Sequence, residues 1–266
     1  MGVLKVRKEI EAVVLDLDGT LLNSNKEVSQ RNFDALRFIH NAGIPIIIAT
    51  ARPPRTIKYL LPKEIQEIAI FVYYNGALII NDQLQINEHY CIDSKLNNQI
   101  IEYLIINEPD HLFSIEVNDT WYSYQNIDYR SFMKVAENPE IIELVKIKLT
   151  SPTKILVSRL NNIEVFTKKF GDKVNIITTD SNQLTQIMGL GISKESAIAN
   201  LAEKLDISLH KTMVFGDDFN DLGLFKLCGI PIAMDNAIDE LKGIAKKITT
   251  SNDDDGVANI LEKLYN

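Results

Sequence analysis

The chain has 266 residues, of which 45% are hydrophobic and 24% are charged, and its formal net charge at pH 7 is −8. This composition is typical of a globular protein with one large domain or two moderate ones, and it argues against long disordered segments. An acidic chain without a run of lysine or arginine lacks the electrostatic footprint of a nucleic-acid-binding protein, so an anionic ligand must be held by local features.

The cysteines and the N-terminal residues bear on the compartment of the protein. Cys91 and Cys228 lie far apart and form no CxxC pair, so neither a disulfide framework nor a structural zinc site is expected. Charges at Lys5 and Arg7 interrupt the apolar N-terminal residues, which argues against a signal peptide. The longest clear apolar run, residues 44–49, is too short to span a bilayer, and we expect a cytoplasmic protein.

Alternating strands and helices are predicted in the first 80 residues. Continuous apolar runs are typical of parallel strands that are covered on both faces, and they occupy residues 12–15, 44–49 and 69–73. Between the first two runs, Ser29 can cap a helix that ends at Gly43. Phe33, Leu36 and Ile39 would lie along one side of this helix.

The pattern changes after residue 81. Short, half-polar strands with alternating side chains follow, and two of them flank a hairpin turn at Asn118-Asp119. Such strands indicate an antiparallel sheet with helices on one face. From about residue 190 the first pattern returns, with a helix capped by Ser193 and strands at 212–215 and 230–233.

We therefore predict an α/β protein in two domains. Residues 1–81 and 189–266 would form a Rossmann-like core with a parallel sheet, and residues 82–188 would form an inserted α+β domain.

The segment Asp16-Leu17-Asp18-Gly19-Thr20 directly follows the first apolar run. In open α/β sheets ligands bind beyond the carboxyl ends of the strands, and carboxylates two residues apart leave a strand on the same side. Asp16 and Asp18 can therefore face one site. Together they form a candidate cation site in which one is a nucleophile and the other an acid and base.

Two further positions are candidates for binding an anion. Thr50 ends the second apolar run, where its hydroxyl group can donate to a phosphate oxygen. Lys194 follows the helix cap Ser193, although the helix macrodipole disfavours a cation at that end. A bound anion would remove this conflict, because the lysine and the helix amides would then act together.

The segment Gly216-Asp217-Asp218-Phe219-Asn220-Asp221 follows the strand predicted at 212–215. Three carboxylates and an amide therefore emerge at another strand end. Oxygen ligands suit Mg²⁺ better than zinc or copper, and the spacing excludes an EF-hand.

In this order, the motifs resemble those of the haloacid dehalogenase-like (HAD) superfamily, and specifically its Cof-type phosphatases. Asp16 to Thr20 matches the first motif, Thr50 the second, Lys194 the third, and Gly216 to Asp221 the fourth. Further segments that look like the family's lie at residues 74–77, 191–194, 234–237 and 251–258. The resemblance covers nearly the whole chain, and it implies that residues 82–188 are the cap that determines substrate specificity.

The resemblance also implies a mechanism. Asp16 would attack phosphorus and form a phosphoaspartate, while Asp18 would protonate the leaving oxygen and then activate water. The cofactor Mg²⁺ would be held by Asp16, the main-chain carbonyl of Asp18, and Asp217. Phosphate and substrate would be bound by a further set of residues, namely Thr50, Ala51, Asn75, Lys194 and Asn220. Asp221 would orient Lys194 or a metal-bound water.

Two departures from the family pattern concern the rim of the site. Ala51 stands where the family commonly has glycine, and Asp235 stands where it also commonly has glycine. We predict a negative φ at Ala51, so that alanine is tolerated there without backbone strain.

The expected partner is a small phosphorylated metabolite such as a sugar phosphate, with neither nucleic acid nor a membrane as a partner. A homodimer is left open, because nothing in the sequence determines the oligomeric state. A phosphomutase with the same phosphoaspartate is the alternative among enzymes, and a non-catalytic phosphoester-binding regulator is the alternative outside them. A dehalogenase is disfavoured, because it has no leaving oxygen to protonate and needs neither Asp18 nor Mg²⁺.

Overall fold

The computed structural model describes residues 10–131, 135, 137–158, 160–179 and 183–264. The argument against a signal peptide rests on Lys5 and Arg7, which lie outside the described residues. The chain divides into two compact units, one formed by the residues up to 88 and from 193 onward, and the other by residues 89–192. The insert predicted at 82–188, and its role as a cap, stay predictions.

The described strands have the following bounds in chain order: β1 Ala12–Leu15, β2 Ile46–Ala49, β3 Ala69–Tyr73, β4 Leu78–Asn81, β5 Ile86–His89, β6 Phe113–Val117, β7 Thr120–Ser123, β8 Glu140–Ile141, β9 Lys154–Ser158, β10 Val174–Thr179, β11 Leu184–Gly189, β12 Thr212–Gly216, β13 Ile230–Ala233 and β14 Lys247–Ile248.

The described α-helices have the following bounds: α1 Gln30–Asn41, α2 Pro54–Leu60, α3 Lys63–Ile68, α4 Ser94–Asn107, α5 Leu144–Leu149, α6 Ile163–Phe170, α7 Lys194–Lys204, α8 Leu222–Leu227, α9 Asp239–Ile244 and α10 Gly256–Leu261. The sequence pattern does not predict α2, α3, α5, α8 or α9. Each of these helices is only six or seven residues long, which is too short to show a clear helical period.

The first unit is built on a sheet with the strand order β14-β13-β12-β1-β2-β3-β4-β5. The strands from β14 to β3 are parallel, and β4 is antiparallel to β3. β1 lies between β12 and β2, with Leu15 opposite both Phe215 and Ile48. The carboxyl ends of these three strands therefore meet at one edge of the sheet, as the α/β prediction requires.

Helix α1 begins and ends where the sequence predicts. The hydroxyl oxygen of Ser29 accepts from the N–H of Asn32, and Gly43 has a φ of +71° beyond the last turn. The buried face differs in one position, because Asn32 is buried whereas Phe33 is half-buried. The amide oxygen of Asn32 accepts from the N–H of Ala258 in the first turn of α10, a group without a partner inside its own helix.

The second unit is an α+β module, as predicted. Its sheet has the order β10-β11-β9-β6-β7-β8 and is antiparallel except for the β7–β8 pair. One face carries Ile115, Ile155 and Val157, which belong to an apolar cluster with residues of α4 and α6. Asn118 and Asp119 have φ values of 47° and 66°, which confirms the predicted hairpin turn between β6 and β7.

Within the described part of the chain, no helix combines the length and apolar character that crossing a membrane requires.

Asn32→Ala should lower the free energy of unfolding by about 1–3 kcal/mol, because the N–H of Ala258 would stay buried without its acceptor. Asp34→Ala on the exposed face of the same helix is the control and should change it by less than about 0.5 kcal/mol. Urea unfolding followed by circular dichroism measures both. Equal losses in the two variants would contradict the role given to Asn32.

Candidate active site

The residues that directly follow β1, β2 and β12 are Asp16, Thr50 and Asp217. Since these strands are adjacent and parallel, the three residues lie at the same edge of the sheet. Asp16 is 6% exposed and Thr50 is 1% exposed. The sheet therefore brings together residues from the first, second and fourth motifs.

Lys194 is the first residue of α7, and its ammonium group is fully buried. The cap of this helix is the reciprocal pair of Ser193 and Ser196. Lys194 Nζ donates to Asp16 Oδ1 at 2.5 Å and to Asp221 Oδ1 at 2.8 Å. Burial by itself would lower the pKa of Lys194, but the two carboxylates outweigh it and raise the pKa above its usual value. The lysine is therefore held as a cation at a helix end that disfavours one.

Asp16, Asp217 and Asp221 form a carboxylate cluster whose nearest oxygens all lie within 4.8 Å of one another. Burial raises the pKa of Asp16 to about 7, with Lys194 opposing the rise and the charge of Asp221 adding to it. Burial and then the charge of Asp16 raise the pKa of Asp217 to about 8. The three carboxylates therefore repel one another in a site with little water.

The glycine of the first motif allows the close approach of Asp217. Gly19 has a φ of +76°, and a Cβ at this position would lie 2.1 Å from Asp217 Oδ2. The next residue, Thr20, donates its hydroxyl hydrogen to Asp217 Oδ1 at 3.1 Å. Any side chain larger than hydrogen at residue 19 would therefore push Asp217 out of the cluster.

The cluster fits a divalent cation. Three carboxylates and the one ammonium group of Lys194 leave two negative charges when all are ionised. All the available ligands are oxygens, which is the donor set that hard cations prefer. The predicted metal ligands Asp16 and Asp217 are in the cluster, and Asp221, predicted as a supporting residue, lies within the same distance. The role of the main-chain carbonyl of Asp18 stays a prediction.

The carboxylate of Asp18 is bound by two cations that the sequence analysis does not assign to the site. Arg52 donates to it through Nε at 2.5 Å and Nη2 at 2.8 Å, and Lys26 Nζ donates at 2.7 Å. Burial would raise the pKa of Asp18, but Arg52 and then Lys26 outweigh it and lower the pKa to about 2. Asp18 is thus held firmly as a carboxylate, whereas the pKa of Asp16 lies near neutrality.

A sequence signal could have found Arg52 but not Lys26. Arg52 lies two residues after Thr50, in a segment that keeps the threonine and the arginine of the family's Thr-Gly-Arg pattern and has Ala51 in place of the glycine. Its backbone N–H also donates to the hydroxyl oxygen of Thr50 at 3.1 Å. Lys26 lies in an irregular loop and has a φ of 65°. Nothing in the local pattern shows that such a lysine turns back to a carboxylate eight residues earlier.

The remaining predicted residues lie around Thr50. The N–H of Asn75 donates to the carbonyl oxygen of Thr50 at 2.9 Å, and the amide oxygen of Asn75 accepts from Asn220 Nδ2 at 3.3 Å. Asn75 is fully buried with a φ of 53°. Ala51 is not among the described non-glycine residues with a positive φ, so the alanine fits without left-handed strain.

Comparisons with a family model, with relatives and with solved structures each match nearly the whole chain. A family model described as haloacid dehalogenase-like hydrolase matches residues 13–261. A putative phosphatase of Haemophilus influenzae is 30% identical over 271 residues, which cover 96% of this chain and 98% of the relative. The 5-amino-6-(5-phospho-D-ribitylamino)uracil phosphatase YcsE of Bacillus subtilis is 26% identical and covers 97% of both chains. A crystal structure of a Thermotoga maritima protein superimposes with a TM-score of 0.81 at 25% identity, covering 96% of this chain and 97% of the other.

Without divalent cations, the protein should be less stable at pH 8 than at pH 6. The pKa of Asp217 is about 8 in the folded protein, but an aspartate in the unfolded chain titrates near pH 4. Between these values the folded state binds more protons than the unfolded state. The free energy of unfolding therefore falls as the pH rises, on the order of 2 kcal/mol from pH 6 to pH 8.

Melting temperatures in EDTA at the two pH values measure this dependence. Asp217→Asn should reduce it, whereas the same change at the exposed Asp239 should leave it unaltered. If wild type and Asp217→Asn show the same pH dependence, Asp217 does not have the raised pKa that its burial and the charge of Asp16 give it.

Proposed function

The chain belongs to the haloacid dehalogenase-like hydrolase family and is a phosphatase; from this premise we propose that it uses Mg²⁺ and a phosphoaspartate on Asp16 to hydrolyse small phosphorylated metabolites. The observation that carries the proposal is the carboxylate cluster at the end of β1, with the ammonium group of Lys194 2.5 Å from Asp16. A buried carboxylate between a lysine and a cation site is suited to attack an anionic phosphorus centre.

The chain's own residues supply the nucleophile and the proton transfers. A carboxylate oxygen of Asp16 attacks phosphorus, and the bond from phosphorus to the leaving oxygen breaks while that oxygen takes a proton from Asp18. Asp18 then takes a proton from water as the water attacks the phosphoaspartate, which releases phosphate and restores both groups. When bound, Mg²⁺ neutralises part of the charge of Asp16 and Asp217 and so lets a carboxylate approach a phosphate.

The contacts of Asp18 impose a condition on this sequence. As an acid, Asp18 must carry a proton, but Arg52 and Lys26 hold it as a carboxylate with a pKa near 2. Its ion pairs must therefore loosen when substrate binds. Both cations already contact the carboxylate of Asp18, which would face the substrate. Each is therefore close enough to pair with an anionic substrate instead.

The phosphoryl oxygens would be held by groups around Thr50. The hydroxyl of Thr50, the amide of Asn220 and the ammonium group of Lys194 are donors that can stabilise negative charge on phosphate. Asn75 would act by holding Asn220, to which it is hydrogen-bonded. Ala51 would contribute its main chain, beside the phosphate. Asp221 would keep Lys194 in position.

The sequence alternatives remain open to direct tests. A phosphomutase would return the phosphate to a sugar, so single turnover of phosphorylated enzyme would require a sugar acceptor. A non-catalytic regulator would be expected to lack catalytic groups, whereas Asp16, Asp18, Lys194 and Asp217 are all present. A cytoplasmic location and the absence of nucleic-acid or membrane partners stay predictions, and a homodimer stays open.

The name of the Bacillus subtilis relative suggests a first substrate to assay. That protein is a 5-amino-6-(5-phospho-D-ribitylamino)uracil phosphatase, and its substrate is a small phosphate ester of the class we propose. A panel that contains this ester and common sugar phosphates, read by phosphate release, would identify the preferred leaving group.

Asp16→Asn should lower turnover on the order of 10³-fold or more, because the amide is a poor nucleophile and a weaker metal ligand. The matched control is Asp218→Asn, since the side chain of Asp218 caps the N–H of Phe219 and asparagine caps equally well. The control should keep activity within about threefold. If the turnover of Asp16→Asn lay within tenfold of wild type, the assignment of Asp16 as the nucleophile would be wrong.

Chelation should abolish activity, and Mg²⁺ should restore it. Ca²⁺ should bind without supporting turnover, because its larger and looser coordination shell spoils the in-line geometry. Phosphate release after EDTA treatment and dialysis against each ion measures this. Activity that survives thorough chelation, or that Zn²⁺ alone restores, would show that the oxygen cluster is not a magnesium site.

A further inference from the structure

Two segments that resemble family motifs have no part in the chemistry described above. They are Met234-Asp235-Asn236-Ala237 and the C-terminal stretch Ser251 to Ala258. Neither segment supplies a nucleophile, an acid or a member of the carboxylate cluster. Both nevertheless contact the loop that follows Asp16.

Asn236 and Asn252 form a relay of side-chain amides to that loop. Asn236 Nδ2 donates to the carbonyl oxygen of Gly19 at 2.8 Å, and its Oδ1 accepts from the N–H of Asn252 at 3.0 Å. Asn252 Nδ2 in turn donates to the carbonyl oxygen of Leu22 at 2.9 Å. Two carbonyl groups of one loop are therefore held by the side-chain amides of Asn236 and Asn252, and the backbone N–H of Asn252 links the two residues.

Asp253 holds the same loop at a third point. Its Oδ1 accepts from the N–H of Ser24 at 2.7 Å, and its Oδ2 accepts from the hydroxyl of Ser24 at 2.6 Å. Inside the loop, the N–H of Leu22 donates to the carbonyl oxygen of Leu17 at 2.8 Å. The contacts of Asn236, Asn252 and Asp253 therefore add to a hydrogen bond that already closes the turn.

The peptide group that Asn236 holds lies between the acid and the metal cluster. Gly19 follows Asp18 and leaves no room for a Cβ against Asp217. Thr20, on the other side of the same peptide group, donates to Asp217. A displacement of the backbone at Gly19 and Thr20 would therefore move the donor to Asp217 and the neighbouring residue Asp18.

We propose that Asn236, Asn252 and Asp253 are positioning residues that hold the loop of residues 17–24 so that Asp18 and Thr20 keep their places relative to Asp217. The effect on turnover rests on the proposed function. The effect on the order of the loop does not, because it follows from the hydrogen bonds alone.

If Asn236, Asn252 and Asp253 only stabilised the C-terminal region, removal of another amide from that region would affect the loop equally. The chain offers a matched control for this comparison. Asn259 lies in the same C-terminal region, and its Nδ2 donates to Thr250 Oγ1 at 2.5 Å and to the carbonyl oxygen of Asp254 at 3.0 Å. Neither of these contacts reaches the loop of residues 17–24. Asn259→Ala therefore removes an amide from the same segment and leaves the loop contacts in place.

The experiment compares Asn236→Ala, Asn252→Ala and Asn259→Ala by hydrogen–deuterium exchange of peptides covering residues 17–25, together with kcat and KM for p-nitrophenyl phosphate. In the first two variants we expect the loop amides to exchange about tenfold faster and kcat to fall about tenfold, with KM within about threefold of wild type. Asn259→Ala should leave both exchange and kcat unchanged.

Asn236→Asp removes one of the two hydrogen bonds of the Asn236 side chain and keeps the other. An aspartate can still accept from the N–H of Asn252 but cannot donate to the carbonyl oxygen of Gly19. It should therefore match Asn236→Ala in loop exchange. It also serves as the second variant if the alanine variant does not fold.

Loop exchange at the wild-type rate in all Asn236 variants would overturn the proposal, and so would an equal rise in Asn259→Ala. Faster loop exchange with unchanged kcat would also overturn it, because positioning would then not matter for turnover. If wild type itself has no phosphatase activity, the proposed function fails. Faster exchange in the Asn236 variants would even then show that Asn236 holds the loop of residues 17–24.

Discussion

The buried ammonium group of Lys194 holds together the part of the molecule on which the chemistry depends. A lysine without access to water is stable only when carboxylates compensate its charge, and Asp16 and Asp221 do so from two different segments. This compensation requires that β1 and β12 lie side by side and that α7 begins above them. The buried ion pairs of Lys194 and the positions of the predicted catalytic groups therefore depend on the same strand order of the first unit.

The same edge of the sheet places two aspartates of one motif in opposite electrostatic surroundings. Burial raises the pKa of Asp16 to about 7 although Lys194 opposes the rise, whereas Arg52 and then Lys26 lower the pKa of Asp18 to about 2 in spite of its burial. In sites that divide nucleophile and acid–base functions the acid usually has the raised pKa and the nucleophile stays ionised, so the separation here is opposite to the one that the proposed roles require. The acid role proposed for Asp18 therefore requires that its ion pairs with Arg52 and Lys26 weaken when substrate binds.

The contacts of the C-terminal segment suggest why motif-like residues can occur outside the chemical groups. The loop of residues 17–24 carries Asp18, and its apolar side chains, Leu17, Leu21 and Leu22, are fully buried. Hydrogen bonds with Asn236, Asn252 and Asp253 add a second restraint, which acts on the polar backbone groups of Gly19, Leu22 and Ser24. Gly19 meanwhile lets the loop come close to Asp217. Position and close approach are thus provided by different residues.

The sequence by itself determined the strands that carry the site and the side on which their carboxylates emerge. Parallel strands covered on both faces appear as continuous apolar runs, and residues two apart leave a strand in the same direction. The turn at Asn118-Asp119 was equally evident, because few residues tolerate its backbone conformation. Short helices such as α2 and α3 were not, since six or seven residues do not establish a period.

Only the tertiary structure decided which partner each polar group has. Hydropathy shows that a residue is buried, but not what it is buried against. The pairing of Asp18 with Arg52 and Lys26, of Lys194 with Asp221, and of Asn32 with Ala258 joins segments that the fold brings together. These pairs depend on strand order and on loop conformation, which are set by the packing of the whole unit and leave no trace in the pattern of any one segment.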